Sequence, residues 1–146
     1  MTTAAVIAIG RSTFDVELGA VHVKSARAVL ERLGVSTVGP DDVITDPAAG
    51  IAAVETASRA RVDTTIVLQA TFTDASTIIA LAAAAPTPIV VWSFPEERVG
   101  DRLRLNSLCG ANLAAYSLRR RQHRCCLLYT SPSPRDISAY LVCRLL

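Results

Sequence analysis

The stretch TTIVLQATFTD, residues 64–74, joins a buried strand to a helix through a short polar loop. Its first part is a mostly apolar run rich in β-branched side chains, which is typical of a strand covered on both faces. Thr73 or Asp74 can then cap a helix. That helix has to end before Pro86, because proline cannot continue the helical hydrogen-bond ladder. The stretch therefore predicts one strand–helix unit of an α/β protein.

The same unit recurs on both sides of this stretch. The predicted strands are 4–10, 35–39, 64–72 and 89–94, and the predicted helices are about 20–33, about 47–61, 74–85 and about 107–121. Successive strand–helix units give parallel strands joined by right-handed crossovers. The sequence thus predicts an open parallel sheet of about four strands with helices on both faces. This is a three-layer α/β/α arrangement similar to flavodoxin, but incomplete.

Residues 125–146 depart from that pattern, because YTSPSPRD places two prolines where neither a strand nor a helix could continue. One choice of codons for 126–136 resembles the transposon-end adapter of short-read sequencing libraries, and codons for 140–146 resemble its flow-cell end. We therefore predict an α/β domain over 1–124 and a non-native, disordered tail over 125–146. A sheet of only four strands would expose an unpaired edge, which predicts poor solubility or self-association.

Composition narrows the possible functions. The chain has 146 residues, of which 51% are hydrophobic, and a net charge of +2. These values fit a single globular domain and give no broad basic face for nucleic acid. No apolar run is long enough to span a bilayer, so we expect a cytoplasmic protein with no membrane partner. The four cysteines form no paired CxxC metal motif.

Candidate binding residues lie in the loops after the predicted strands, where doubly wound sheets bind their ligands. Arg11 follows the first strand, and its guanidinium could fork two substrate oxygens or form an ion pair with Asp15 or Glu17. Thr71, Phe72 and Asp74 follow the third strand and offer hydroxyl, aromatic and carboxylate groups to a polyhydroxylated ligand. The alternative for these three is helix capping and a phenylalanine packed under its loop.

Two further candidates follow the fourth strand. Glu96 belongs to a strongly charged loop whose alternative role is a solvated surface. Asn106 or Ser107 could cap the fourth helix, and the exposed backbone N–H groups at its N-terminus attract an anion or an electron-rich oxygen. The first loop carries neither GxGxxG nor GxxxxGK[ST], which argues against dinucleotide and P-loop nucleotide binding. We predict no catalytic nucleophile and no metal ligand in this chain.

Three segments resemble the N-terminal domain of the L-fucose/L-arabinose isomerase-like family. They are AIGRSTFD (8–15), TFTDAS (71–76) and WSFPEERVGDRLRLNSLCGANLAAYSLRR (92–120). Members of that family interconvert aldose and ketose sugars with a divalent metal, usually manganese. Such a metal polarises the carbonyl and hydroxyl oxygens while carboxylates move the proton.

The resemblance implies specific roles for this domain. The metal ligands of the family come from later domains, whereas the N-terminal domain supplies oligomer contacts and part of a substrate pocket, often a neighbouring subunit's. Arg11 stands where relatives have an arginine that contacts substrate, and Thr71, Phe72 and Asp74 stand in the pocket wall. The chain alone is then expected to be inactive and to need no cofactor. The alternative is a small flavodoxin-like module that binds a ligand or regulates without catalysis.

Overall fold

The computed structural model describes residues 2–96, 100, 102–129 and 144–145. Strands and helices alternate along these residues. The strands are β1 Thr3–Ile9, β2 Ser36–Val38, β3 Thr64–Gln69, β4 Ile89–Ser93, β5 Cys125–Tyr129 and β6 Arg144–Leu145. The helices are α1 Val16–Arg32, α2 Pro47–Ser58, α3 Ala75–Ala84 and α4 Ser107–Arg120. Among the described helices, none is long and apolar enough to cross a lipid bilayer.

The strands form one sheet in the order β2-β1-β3-β4-β5-β6. The first five are parallel, and only the two-residue β6 pairs antiparallel to its neighbour. Strand β1 lies between β2 and β3. After β2 the chain passes through α2 and enters the sheet again on the other side of β1, as β3. The predicted α/β class is confirmed. All five parallel strands end at the same edge of the sheet, so the loops that follow them are brought together there.

Two apolar layers cover the two faces of the sheet. Because side chains alternate along a strand, the β1 residues Val6 and Ile7 point to opposite faces. Val6 packs in the cluster that contains Val23 and Leu30 of α1. Ile7 packs in the cluster formed by buried residues of the other three helices, among them Leu118 of α4. Helices thus cover both faces, as predicted.

Helix α1 begins four residues earlier than the predicted start near Ala20. The Asp15 side chain accepts a hydrogen bond from the Leu18 backbone N–H at 2.8 Å and so caps the helix. Gly19, just before the predicted start, lies inside the helix and serves close packing. A Cβ at this position would lie 3.2 Å from the Ala70 Cβ, so glycine lets the first turn of α1 approach the end of β3.

The predicted disorder from residue 125 onward is wrong for Cys125–Tyr129, and the sheet has five parallel strands rather than four. These residues form β5 and pair with β4 in register from Ile89↔Cys125 to Ser93↔Tyr129. The physical reason is that CCLLY is an apolar run long enough to pair with an open strand edge. The expected unpaired edge at β4 is therefore wrong as well. Residues 130–143 of the proposed tail lie outside the described residues, and its adapter origin stays a prediction.

Candidate functional site

The loops after β1, β3 and β4 meet at the carboxyl edge of the sheet. Backbone hydrogen bonds join them directly. The Asp15 N–H donates to the Arg104 carbonyl at 3.0 Å, and the Phe72 N–H donates to the Leu105 carbonyl at 2.8 Å. Parallel strands place their following loops on one side, so this meeting is the part of the site that the sequence predicts most directly.

Three of the predicted binding residues lie together in this edge. The Arg11 backbone N–H donates to the Thr71 hydroxyl at 2.7 Å. The Arg11 guanidinium lies 3.3 Å from the Asp74 carboxylate, and these side chains are 48% and 63% exposed. Arg11 thus pairs with a carboxylate 63 residues away rather than with one in its own loop. Thr71 is fully buried, so its hydroxyl holds the loop, while Arg11 and Asp74 face solvent.

Phe72, the fourth predicted residue of this group, packs against a second aromatic ring. Its ring centroid lies 5.9 Å from that of Phe14, with the planes tilted by 49°. The guanidinium carbon of Arg102 lies 5.7 Å from the Phe14 centroid, a cation–π distance. Phe72 is therefore part of an aromatic contact between two loops, and Phe14 connects it to the loop after β4.

Asp15 links the same loops by charge. Its carboxylate oxygen Oδ2 accepts from Nε of Arg104 at 3.0 Å and from Nη2 at 2.5 Å. The backbone hydrogen bond from Leu18 and, next, the hydrogen bond from Arg104 lower the pKa of Asp15. Asp15 is therefore ionised at neutral pH. Sequence analysis missed Arg104 as an Asp15 partner, because 89 residues separate the two and no local pattern relates them.

Glu96 and Asn106 also meet, but through the backbone. The Glu96 carboxylate accepts from the Leu105 N–H at 2.6 Å and from the Asn106 N–H at 2.7 Å. Asn106 is left-handed, with φ of 51°, and its side chain makes no capping hydrogen bond. The expected cap by Asn106 is therefore wrong, because this conformation turns the chain so that Glu96 binds the two N–H groups instead. Both Glu96 oxygens are engaged within the protein.

Two buried polar side chains hold this edge from the inside. Ser107 donates its hydroxyl to the Gln69 carbonyl and accepts from the Phe94 N–H at 2.9 Å. The Gln69 side chain is fully buried and donates to the Thr71 carbonyl at 2.7 Å and to the Thr73 hydroxyl at 2.9 Å. Sequence analysis gave Gln69 no role. The available signal was a single amide within an otherwise apolar strand.

A cavity of about 260 Å³ opens beside these loops. It is lined by Thr13, Phe14, Asp15, Arg102, Leu103 and Arg104. None of the six predicted binding residues lines it, although Phe72 touches its Phe14 wall. The cavity lies in the loops after β1 and β4, at residues between the predicted ones.

The loop after β4 also covers an imidazole. The His22 ring of α1 stacks on Phe94, with centroids 5.3 Å apart and planes 18° from parallel. Burial lowers the pKa of His22, and the nearby Glu96 charge opposes this effect. His22 is therefore neutral at neutral pH, and it packs as an aromatic ring against the site.

Metal ligation has no candidate here. Within the part of the chain that the structure describes, no group of three or more His, Cys, Asp and Glu side chains could hold a metal ion.

The fold is of the α/β class, with a parallel sheet whose carboxyl edge carries arginine, carboxylate and aromatic side chains. Residues 5–140 match the family model described as fucose/sulfoquinovose isomerase, N-terminal domain. The chain belongs to this family, and the family resemblance seen in the sequence is confirmed.

Curated relatives give the same assignment. The chain is 28% identical over 141 residues to the sulfoquinovose isomerases of Priestia aryabhattai and Priestia megaterium, a match covering 97% of this chain and 32% of each relative. It is 37% identical over 71 residues to the sulfoquinovose isomerase of Alkalicoccus urumqiensis, covering 49% of this chain and 16% of that relative. The chain thus spans about a third of the length of the curated relatives it matches.

Proposed function

We propose that the chain is the N-terminal domain of a metal-dependent aldose–ketose sugar isomerase and forms one wall of its substrate pocket. The observation that carries the proposal is the solvent-facing pair of Arg11 and Asp74 in the same loops as the contacting, tilted rings of Phe14 and Phe72. A guanidinium donates hydrogen bonds to sugar hydroxyls, and a carboxylate accepts hydrogen bonds from them. An aromatic ring packs against the C–H face of a sugar.

The roles divide by exposure. Arg11 and Asp74 are exposed and weakly paired, so a hydroxyl group can replace either partner at little cost. Thr71 and Glu96 hold the loops in place, and Phe72 shapes the wall through its contact with Phe14. The Asn106 side chain makes no capping hydrogen bond at the start of α4, and it can donate to a substrate oxygen.

The chemical step belongs to the rest of the parent protein. Isomerisation needs a divalent cation, manganese in this proposal, to polarise the sugar oxygens, and a base to move the proton. Those groups come from later domains, and this domain binds and orients the sugar while assembling into a cytoplasmic homo-oligomer. The chain alone is then catalytically silent.

A hybrid enzyme tests this proposal. In the hybrid, this chain replaces the matching third of the Priestia megaterium sulfoquinovose isomerase. We expect ketose formation with Mn²⁺, a rise in KM of tenfold or more on Arg11→Ala, and no turnover by the 146-residue chain alone. A matched Arg59→Ala variant, exposed at the end of α2, should leave KM unchanged.

Three results would contradict the proposal. One is a folded hybrid that is inactive on L-fucose, L-arabinose and sulfoquinovose. The second is isomerase activity in the isolated chain above a metal-free control. The third is an Arg11→Ala hybrid with the same KM as the parent hybrid.

A further inference from the structure

We propose that Arg27 is a positioning residue: its guanidinium holds the loop after β2, and that loop fixes the backbone from which Arg11 reaches a ligand. We call residues 39–44 the β2 loop. The role of Arg11 towards a sugar rests on the proposed function. The control of the Arg11 backbone by Arg27 does not, and it can be measured on the chain itself.

The pairing of β2 with β1 stops where a proline enters the sequence. The Ser36 N–H donates to the Thr2 carbonyl at 2.9 Å, and the ladder continues as far as Val38. The same register would place the nitrogen of residue 40 opposite the Val6 carbonyl. Pro40 has no N–H to donate. The Val6 carbonyl, which is buried, therefore needs a donor from elsewhere.

Arg27 of α1 supplies that donor. Its side chain is buried, and its Nη2 donates to the Val6 carbonyl at 3.0 Å and to the Pro40 carbonyl at 2.5 Å. One guanidinium nitrogen thus joins β1 to the start of the β2 loop. Nη1 adds a longer contact of 3.4 Å to the Thr37 hydroxyl. A planar guanidinium spreads its donors over these acceptors, whereas a lysine ammonium is a single point charge.

The β2 loop also compensates the charge of the buried guanidinium. Nε of Arg27 lies 3.5 Å from the carboxylate of Asp41, whose side chain is 86% exposed. A buried cation is costly unless a carboxylate or hydrogen-bond acceptors surround it. The Pro40 carbonyl and the Asp41 carboxylate belong to successive residues, so Arg27 holds the loop to α1 at two points. Loss of either partner should therefore loosen the loop.

The far end of the β2 loop determines where Gly10 lies. The Ile44 N–H donates to the Ala8 carbonyl at 2.8 Å, and the Ile44 carbonyl accepts from the Gly10 N–H at 3.0 Å. A Cβ at Gly10 would lie 2.7 Å from Cγ1 of Val43, so the loop packs directly on this glycine. Because Arg11 is the next residue, a displaced β2 loop would displace its backbone too.

The Arg11 backbone is thus fixed from two sides. The β2 loop holds Gly10, and the Thr71 hydroxyl accepts the Arg11 N–H at 2.7 Å from the side of β3. The Arg11 side chain is about half exposed and makes a 3.3 Å ion pair, which orients it weakly. Its direction therefore depends on its backbone, and Arg27 acts on that backbone from the other end of the β2 loop.

The first test is amide hydrogen exchange in the 146-residue chain, followed by two-dimensional NMR. Arg27→Met removes the guanidinium. The Gly10 and Ile44 N–H groups should then exchange faster by about tenfold or more, relative to the Val67 N–H of β3 as the reference for the whole fold. Leu118→Ala removes buried packing from the opposite face of the sheet, and it should accelerate all three amides alike.

Two further variants decide the question even if Arg27→Met does not fold. Asp41→Asn keeps the guanidinium but removes its carboxylate, and it should accelerate Gly10 exchange by about threefold. Asp42→Asn, an exposed carboxylate in the same loop, is the matched control and should change nothing. Arg27→Lys should lie between the parent chain and Arg27→Met. Equal acceleration of Gly10 and Val67 in the folded variants would overturn the positioning role.

The second test uses the hybrid enzyme and asks whether Arg27 acts through Arg11. Arg27→Lys should raise KM for sulfoquinovose about fivefold and leave kcat within about twofold, because it misplaces a binding group rather than the reacting groups. In a hybrid that already carries Arg11→Ala, the same substitution should raise KM no further. A role confined to stability would raise KM equally in both backgrounds, and that result would overturn the inference.

The two tests separate this inference from the proposed function. A folded hybrid that is inactive on every sugar would overturn the isomerase proposal, and amide exchange would then decide the role of Arg27 alone. Unchanged Gly10 exchange in folded Arg27 variants would overturn the positioning role and leave the isomerase proposal intact.

Discussion

Ser107 and Arg11 lie at the same edge of the sheet but are held in opposite ways. Ser107 is fully buried and exchanges two hydrogen bonds with β3 and the end of β4. Arg11 is about half exposed and reaches its carboxylate partner at 3.3 Å. Buried polar groups are costly to leave unpaired, whereas exposed ion pairs contribute little. The difference indicates that the buried contacts shape the edge, and the exposed groups remain available to a ligand.

We call the side chains whose hydrogen bonds shape the edge the inner layer, and the exposed side chains at the edge the outer layer. The inner layer consists of the fully buried Gln69 and Ser107 and the half-buried Glu96, and the outer layer consists of the exposed Arg11, Asp74 and Arg104. If this division is right, inner-layer substitutions should reduce the free energy of unfolding. Outer-layer substitutions should reduce ligand binding with little effect on that free energy.

The largest loss is expected for Ser107→Ala. The substitution leaves the Phe94 N–H without its hydroxyl partner and the Gln69 carbonyl without its donor. Each unsatisfied buried group costs about 1–3 kcal/mol in the free energy of unfolding. Urea unfolding measures this loss, with Ser117→Ala on the same helix as the control. A loss no larger than that of the control would show that the inner layer is not what holds α4 to the sheet.

Glu96→Gln is expected to have the next largest effect. The amide can still accept one of the two backbone hydrogen bonds, but its NH₂ group opposes the second N–H, at a cost of about 1–2 kcal/mol. Glu55→Gln, an exposed carboxylate on α2, is the matched control in the same urea experiment. If both variants unfold at the same urea concentration as the parent chain, Glu96 belongs to the outer layer instead.

Acid should weaken the ion pair between Asp15 and the outer-layer residue Arg104. The pKa of Asp15 is lower in the folded chain than its ordinary value of 3.8, so its stabilising contribution is fully present above pH 3.8 and is lost as pH falls through the folded pKa. Thermal unfolding from pH 6 to pH 2 should therefore show a steeper acid loss for the parent chain than for Asp15→Asn. Parallel curves would contradict a depressed Asp15 pKa.

His22 should titrate in a separate and milder range. Its folded pKa lies below its ordinary value of 6.5, so the unfolded chain takes up the proton first. Stability is therefore highest above pH 6.5 and declines as pH falls from there to the folded pKa. His22→Phe should keep the stacking on Phe94 and remove this decline, which thermal unfolding between pH 8 and pH 5 can detect. A decline of equal slope in the variant would assign it to another group.

The smallest change in stability is expected for Arg11→Gln. An exposed ion pair contributes about 0–1 kcal/mol, so the urea midpoint should hardly move. Sugar binding by the hybrid enzyme should fall in the same variant. A loss of stability comparable to that of Ser107→Ala would remove the distinction between the two layers.

The sequence predicts the central strands and the location of the site better than the contacts within it. β1, β3 and β4 follow from apolar runs closed by polar loops, and parallel order then brings Arg11 and Asp74 to one edge. Strand β5 was missed because proline-rich sequence follows it, although five apolar residues suffice to extend a sheet.

The sequence could not predict which polar groups at the edge form hydrogen bonds with each other, because these pairs depend on long-range geometry. Glu96 accepts hydrogen bonds from the N–H groups of residues 105 and 106, because the backbone of Asn106 is left-handed. No local sequence pattern predicts that conformation. Asp15 finds Arg104 across 89 residues for the same reason. Charged loops specify which groups are available but not which of them meet.

The pairing of β5 with β4 has a consequence for how this domain can be joined to other sequence. Hydrogen bonds between strands are made by the backbone, so they place few demands on side-chain identity beyond an apolar, extended run. The outer edge of β4 can therefore pair with strands of varied sequence, and many short apolar segments following Arg124 would complete the sheet. The domain can thus keep the carboxyl edge of its sheet, whose contacts described above all lie before that point, while the sequence beyond it is exchanged.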